Sequence, residues 1–164
     1  MKCGYFLRFL CRICASLLVV APVSADAAPQ ASITNLVDVA FGTISNFSTD
    51  LTNSQSICVY STVKSRIYNV TATGSGSGGA FTLASGSNTL DYEVQWAAAG
   101  GQTTGQSLTS GVALTGLTSA TSKQNCSSDP AGTASLITVL RTAAVTAATA
   151  GAYIGTLTLV VAPN

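Results

Sequence analysis

The 164-residue sequence contains no histidine. That absence removes Ser-His and Cys-His nucleophilic pairs, imidazole metal sites and the side chain that most often moves protons near neutral pH. Charge is nearly as scarce, with seven Lys and Arg against six Asp and Glu. Nucleic-acid affinity comes from clustered basic residues, so no nucleic-acid partner is expected. No apolar run reaches the roughly 20 residues that cross a bilayer, so no stable membrane span is expected. Leu, Glu and Lys, the residues that build helices, are also too few for a helical fold.

What is present begins with an address. "MKCGYFLRFLCRICASLLVVAPVSADAA" has a basic start (Lys2, Arg8, Arg12), an apolar run from Ile13 to Val20, and small residues at Val23-Ser24-Ala25 and Ala25-Asp26-Ala27. This is the pattern of an export signal over 1–27, cleaved after Ala25 or Ala27, ahead of a single domain over 28–164. No small-residue lipobox precedes Cys3, Cys11 or Cys14, so lipidation is not expected. Removing the signal leaves Cys58 and Cys126. Two cysteines in an oxidising compartment read as one disulfide, with two buried free thiols as the alternative.

The mature remainder carries Lys64, Lys123, Arg66 and Arg141 against Asp26, Asp38, Asp50, Asp91, Glu93 and Asp129, a net charge near minus two. Thr, Ser, Ala and Gly among Val, Leu and Ile fill the rest, too apolar a mixture for disorder. Short alternating runs separated by Gly, Ser and Asn clusters predict one all-β domain of sandwich type. The predicted strands lie near Ser32–Ile44, Ser56–Thr62, Ile67–Thr73, Asp91–Ala97, Val112–Leu117, Thr133–Thr142 and Ala152–Val161. Gly74 to Phe81 and the stretch from Ala97 through Ser107 read as loops. Helix competes over Ala143–Ala150, but two threonines and Gly151 favour a loop there.

Two motifs match catalytic patterns in spacing alone. Ser61-Thr62-Val63-Lys64 fits the serine acylation motif S-x-x-K, without the helical setting or the companion motifs that chemistry needs. Gly74, Gly76 and Gly79 fit a dinucleotide fingerprint, but "AFTLASGS" follows where a helix is required. Asp91 and Glu93 share a strand face that reads as solvated, because Tyr92, Val94 and Trp96 alternate with them and take the core side. An exposed Tyr92 and Trp96 would make a sugar-stacking platform; a place in the core is the competing reading. The triplets at Asn46, Asn69 and Asn125 are acceptors only in a glycosylating pathway. No catalytic residue, metal ligand or cofactor is expected.

The final strand raises the functional question. Tyr153, Leu157, Leu159 and Val161 share one face and Thr156, Thr158 and Val160 the other. Such a strand is a template for another chain wherever its edge lacks a neighbour.

"VAFGTI" (Val39 to Ile44), "SICVYS" (Ser56 to Ser61), "YNVTATGSG" (Tyr68 to Gly76), "NTLDYEVQW" (Asn88 to Trp96) and "AGAYIGTLTLVV" (Ala150 to Val161) occur in that order. The series resembles the spore coat protein U domain, the subunit fold of archaic chaperone-usher pili. The resemblance implies an immunoglobulin-like β-sandwich that lacks one strand and is completed by a donor strand. A periplasmic chaperone fills the groove first and another pilus subunit fills it later, by strand addition, after passage through an outer-membrane usher. It implies that Tyr153, Leu157, Leu159 and Val161 line the acceptor groove. The protein would pass through the periplasm and end on the cell surface, in adhesion or biofilm formation. The alternative is a self-sufficient secreted sandwich that binds a surface glycan.

The sequence departs from the family pattern twice. The family's first-strand cysteine is absent from "PQASITNLV" and Cys126 stands late instead, which implies a rearranged bridge, Cys58 to Cys126. Ile33, Val37, Val39 and Phe41 would either line a donor segment or form the domain's own first strand. In the second case the subunit accepts a strand without giving one.

Overall fold

A computed structural model describes residues 27–127 and 132–164. The expected export signal lies outside the described residues, apart from Ala27.

Alternating apolar residues form strands here, and the hydrogen-bonded order of the strands builds two facing sheets. The first has five antiparallel strands in the order β1 (Ala31–Thr34), β2 (Leu51–Ser61), β9 (Ala134–Leu140), β6 (Glu93–Ala97) and β7 (Gln106–Ser107). The second has three, in the order β10 (Leu157–Pro163), β3 (Ile67–Gly74) and β8 (Leu114–Thr118). A hairpin of β4 (Thr82–Ser85) and β5 (Asn88–Asp91), a 3-10 turn at Ser77–Gly79 and one short helix, α1 (Thr142–Ala147), complete the elements among the described residues. The fold is an all-β sandwich, as the composition predicts.

The core lies between the two sheets. Ile57 and Val59 of β2, Val94 and Trp96 of β6, and Ala134 and Leu136 of β9 pack on Tyr68, Val70 and Ala72 of β3. Trp96 is 1% exposed, so its indole N–H needs a protein partner; it donates to the Tyr68 hydroxyl at 3.1 Å, with the two rings edge to face. Tyr92 packs half-buried against the same core. The aromatic pair is therefore core and offers no stacking platform.

Where β2 outruns β9, hydroxyl groups take over the ladder. The Val59 N–H donates to Thr133 Oγ1 at 2.8 Å, and the Thr133 and Ser119 hydroxyls donate to the Val59 carbonyl at 2.9 and 2.6 Å. All three residues are fully or almost fully buried, where an unmade bond would cost about 1–3 kcal/mol. The expected disulfide joins Cys58 to Cys126 beside this network, across 68 residues of sequence.

Several expectations need correction. The first strand is Ala31–Thr34, not Ser32–Ile44. Asn35 at φ 66 turns the backbone out of the extended region, and 36–44 continue without a strand neighbour. β2 begins at Leu51 rather than Ser56, since Asn53 and Gln55 hide its apolar alternation. The hairpin β4–β5 was not foreseen, although Gly86 at φ 61 is the left-handed residue a two-residue hairpin turn requires. The short β7 falls in a predicted loop.

Helix α1 replaces the loop expected after Ala143 because a distant residue caps it. Arg141, in the N-cap position, makes no side-chain cap bond. Asp50 Oδ1 instead accepts from the Thr142 N–H at 2.8 Å and the Thr142 hydroxyl at 3.1 Å. Arg141 in turn bridges Asp50 at 2.8 Å and Glu93 at 2.5 Å, tying the starts of β2, β6 and α1 together. The Thr142 N–H and Arg141 hold the Asp50 carboxyl below its usual range, and Arg141 does the same to Glu93.

Two predictions follow from these ties. Reducing the disulfide, or replacing Cys126 by Ala, should cost up to roughly 4 kcal/mol on the chain-entropy model of a loop this long; urea unfolding with and without reductant measures it. Depressed carboxyl groups stabilise above the ordinary carboxylate range, and that stability is lost as pH falls through their folded values. Thermal melts from neutral pH down to about pH 3 should show a modest decline below about pH 4, because the pairs are exposed to solvent. Arg141→Met should start lower and decline less, and parallel profiles would assign the acid sensitivity elsewhere.

Candidate functional site

β10 is bonded on one edge only. All seven of its residues, Leu157 to Pro163, pair with β3, from Gly74 back to Tyr68. Among the described residues no strand pairs with its other edge. Leu157, Leu159 and Val161 face inward, half-buried against the core, while Thr158 and Val160 face out, as the alternation predicts.

Free strand edges are usually guarded by charge, proline or a bulge. β10 has no charged residue, an unbroken register with β3, and a proline only at its last position. The other edge of the same sheet differs. The register of β8 on β3 shifts between Tyr68 and Val70, and Gly116 sits at φ 74, so that edge is irregular and resists pairing. Of the two, the β10 edge is the regular and unguarded one.

An apolar groove of about 1310 Å³ runs beside that edge. Its floor is Gln55 of β2 with Leu136, Thr138 and Leu140 of β9, and the register sets Gln55 opposite Leu136. One wall is the chain from Leu36 to Phe47, outside any strand, and the other runs from Ala148 to Leu159. Large apolar side chains stand exposed along it, including Leu36 at 42%, Val37 at 68% and Ile154 at 77%. Scattered single residues of this kind are ordinary, but a row rimming one groove marks an interaction site. At one end, Leu90, Leu140 and Val145 form a second small core with Phe41, Ile44 and Tyr153. Burial there pushes the Tyr92 hydroxyl up from its ordinary pKa.

The residues expected to act together are only partly brought together. Leu157 and Leu159 line the groove, and Val161 lies further along the same inward face. Tyr153 precedes β10, donates its hydroxyl to the Thr149 carbonyl at 2.8 Å and packs in the second core. Between them Ile154 exchanges two backbone hydrogen bonds with Ala84 of β4, so β10 starts later than expected. The amino-terminal set divides as well. Ile33 is in β1, packed on the main core, whereas Val37, Val39 and Phe41 belong to the groove wall.

Sequence reading missed Asn53 and Gln55. Both face inward on β2 between the apolar Leu51 and Ile57. Gln55 Oε1 accepts the Val37 N–H at 2.9 Å while its Nε2 donates to the Val37 carbonyl at 3.1 Å, and Asn53 Nδ2 donates to the Ala40 carbonyl at 3.4 Å. The signal was in "LTNSQSICV": two amides at alternate positions on a face that is apolar on either side of them.

The motif matches resolve into structure. Ser61 ends β2, buried, donating its hydroxyl to the Ile67 carbonyl at 3.0 Å. Gly74, Gly76 and Gly79 lead into β4, a strand, where a dinucleotide site requires a helix. Among the described residues no three His, Cys, Asp or Glu side chains gather as a metal site, and no helix is long and apolar enough to cross a membrane.

No protein-family model and no curated protein matches the chain in sequence. A solved structure is similar in fold: that of a chaperone-tip adhesin complex vital for synergistic activation of CFA/I fimbriae biogenesis. The TM-score is 0.51 and the identity 20%, over 83% of this chain and 41% of the solved one. The chain thus spans about two fifths of the solved protein's length and shares its fold with a component of a fimbrial complex.

Proposed function

We propose that this chain is a subunit of a surface fibre of the archaic chaperone-usher type, a relative of the spore coat protein U domain, completed by a strand from another polypeptide. The observation that carries the reading is the β10 edge: regular, uncharged, unpaired and set beside an apolar groove. An extended segment entering there would bond its backbone to β10 and send alternate side chains onto the groove floor. The protein does no chemistry. Its work is assembly, in adhesion or biofilm formation.

On this reading the export signal over 1–27 delivers the chain to the periplasm. There a chaperone occupies the groove, an outer-membrane usher receives the complex, and another subunit replaces the chaperone. The disulfide suits that oxidising route. The glycan-binding alternative, with every strand supplied in cis, is less favoured because among the described residues no strand pairs with the free edge of β10 and Trp96 is buried.

Periplasmic expression with and without the candidate chaperone tests the proposal. The mature chain should be recovered poorly alone, as a monomer of low stability, and abundantly as a one-to-one complex with the chaperone. Leu159→Asp, on the groove face, should abolish recovery of the complex, and Val160→Asp, one residue on and facing out, should leave it unchanged. Equal effects of the two substitutions would remove the groove from the account. A chain recovered equally well without the chaperone, whose melting temperature an added donor-strand peptide does not raise, would mean the sandwich is complete in cis.

A further inference from the structure

The groove has a rival occupant in its own wall. Val37, Val39 and Phe41 alternate with the period of a strand, and across the groove β10 offers a free edge. Two such elements tethered in one chain meet at a high effective concentration. Left to themselves they should pair, and the groove would close on its own polypeptide.

Among the described residues no backbone-to-backbone hydrogen bond ties 36–47 to the rest of the protein. The wall is held by two amides on the inner face of β2. Gln55 takes both the N–H and the carbonyl of Val37, and Asn53 takes the carbonyl of Ala40. A carboxamide presents a donor and an acceptor together, as a peptide group does. In an antiparallel ladder a bonded residue gives its N–H and its carbonyl to the same neighbour. Gln55 therefore already fills, at Val37, both positions that pairing with β10 would need.

We infer that Gln55, with Asn53 beside it, is a strut that keeps the groove open by binding the wall's backbone and so preventing the wall from pairing with β10. The inference rests on reading the groove as a strand acceptor and adds what keeps it empty. It also explains why the inner face of β2 has amides in a row otherwise made of Leu51 and Ile57. A leucine at position 55 would lie well against Leu136, its partner on β9. It would also release Val37.

The test compares the purified mature chain with its Q55L variant, using amide hydrogen exchange and a nine-residue peptide of alternating valine and threonine as a donor-strand mimic. In the wild type the Val37 N–H should exchange at least tenfold more slowly than that of Val39, and the β10 amides not bonded to β3 should exchange fast. In Q55L those β10 amides should become protected, and affinity for the peptide should fall at least tenfold. A Q55L chain that binds the peptide as well as the wild type, with the same open edge, overturns the strut and leaves the acceptor reading intact. Protection of the β10 edge in the wild type, with no peptide bound, overturns both. Should Q55L fail to fold, the wild-type comparison decides: equal exchange at Val37 and Val39 overturns the strut.

Discussion

A strand buried on one face and bonded on one edge leaves a row of N–H and carbonyl groups that must find partners, and in this protein that strand is β10. Its inner side chains belong to the core: Leu157, Leu159 and Val161 pack on the cluster around Tyr68 and Trp96. Its inner edge is satisfied by β3 along its whole length. The outer edge is the unfinished part. Everything that makes the edge usable lies elsewhere in the chain: the irregular β8 that leaves β10 as the regular edge, the floor of β2 and β9, and the wall that stops short of pairing.

The remainder of the sandwich is closed by means that do not depend on the groove. β9 is buried along all seven residues between its two neighbours. Hydroxyl groups of Thr133 and Ser119 finish the ladder where β9 ends. The disulfide anchors the adjoining loop to β2, and Arg141 joins three element starts through Asp50 and Glu93. Exposed ion pairs like these contribute little each. Their value is positional, because they fix α1, which carries Val145 into the end of the groove. Among the described residues one strand edge is thus unpaired while the rest of the sandwich is closed, the arrangement that the proposed strand addition requires.

Strands with clean alternation were legible in the sequence. β3, β6, β8 and the inward set of β10 fall where the apolar period places them, and the disulfide was legible from two cysteines in a chain whose start reads as an export signal. What escaped did so for physical reasons. The first half of β2 carries amides on its inner face because it faces backbone rather than side chains, so its period is invisible to a reading based on apolarity. α1 depends on Asp50, which lies 92 residues away from Thr142 in sequence. Tyr153 belongs to a different packing cluster because Ile154 is captured by β4, a contact no local pattern announces. Val37, Val39 and Phe41 have strand character in sequence but no strand partner in the fold, which is the same deficit seen from the opposite side of the groove.

The structure of the assembled form is the most direct measurement. The chain should be recovered with its natural neighbour from the cell surface and its β10 edge resolved. The account predicts that the strand bonded to that edge belongs to a second polypeptide, with alternate side chains seated over Thr138 and Leu140 and the 36–44 wall still held by Gln55. A strand of the same chain beside β10 would contradict it.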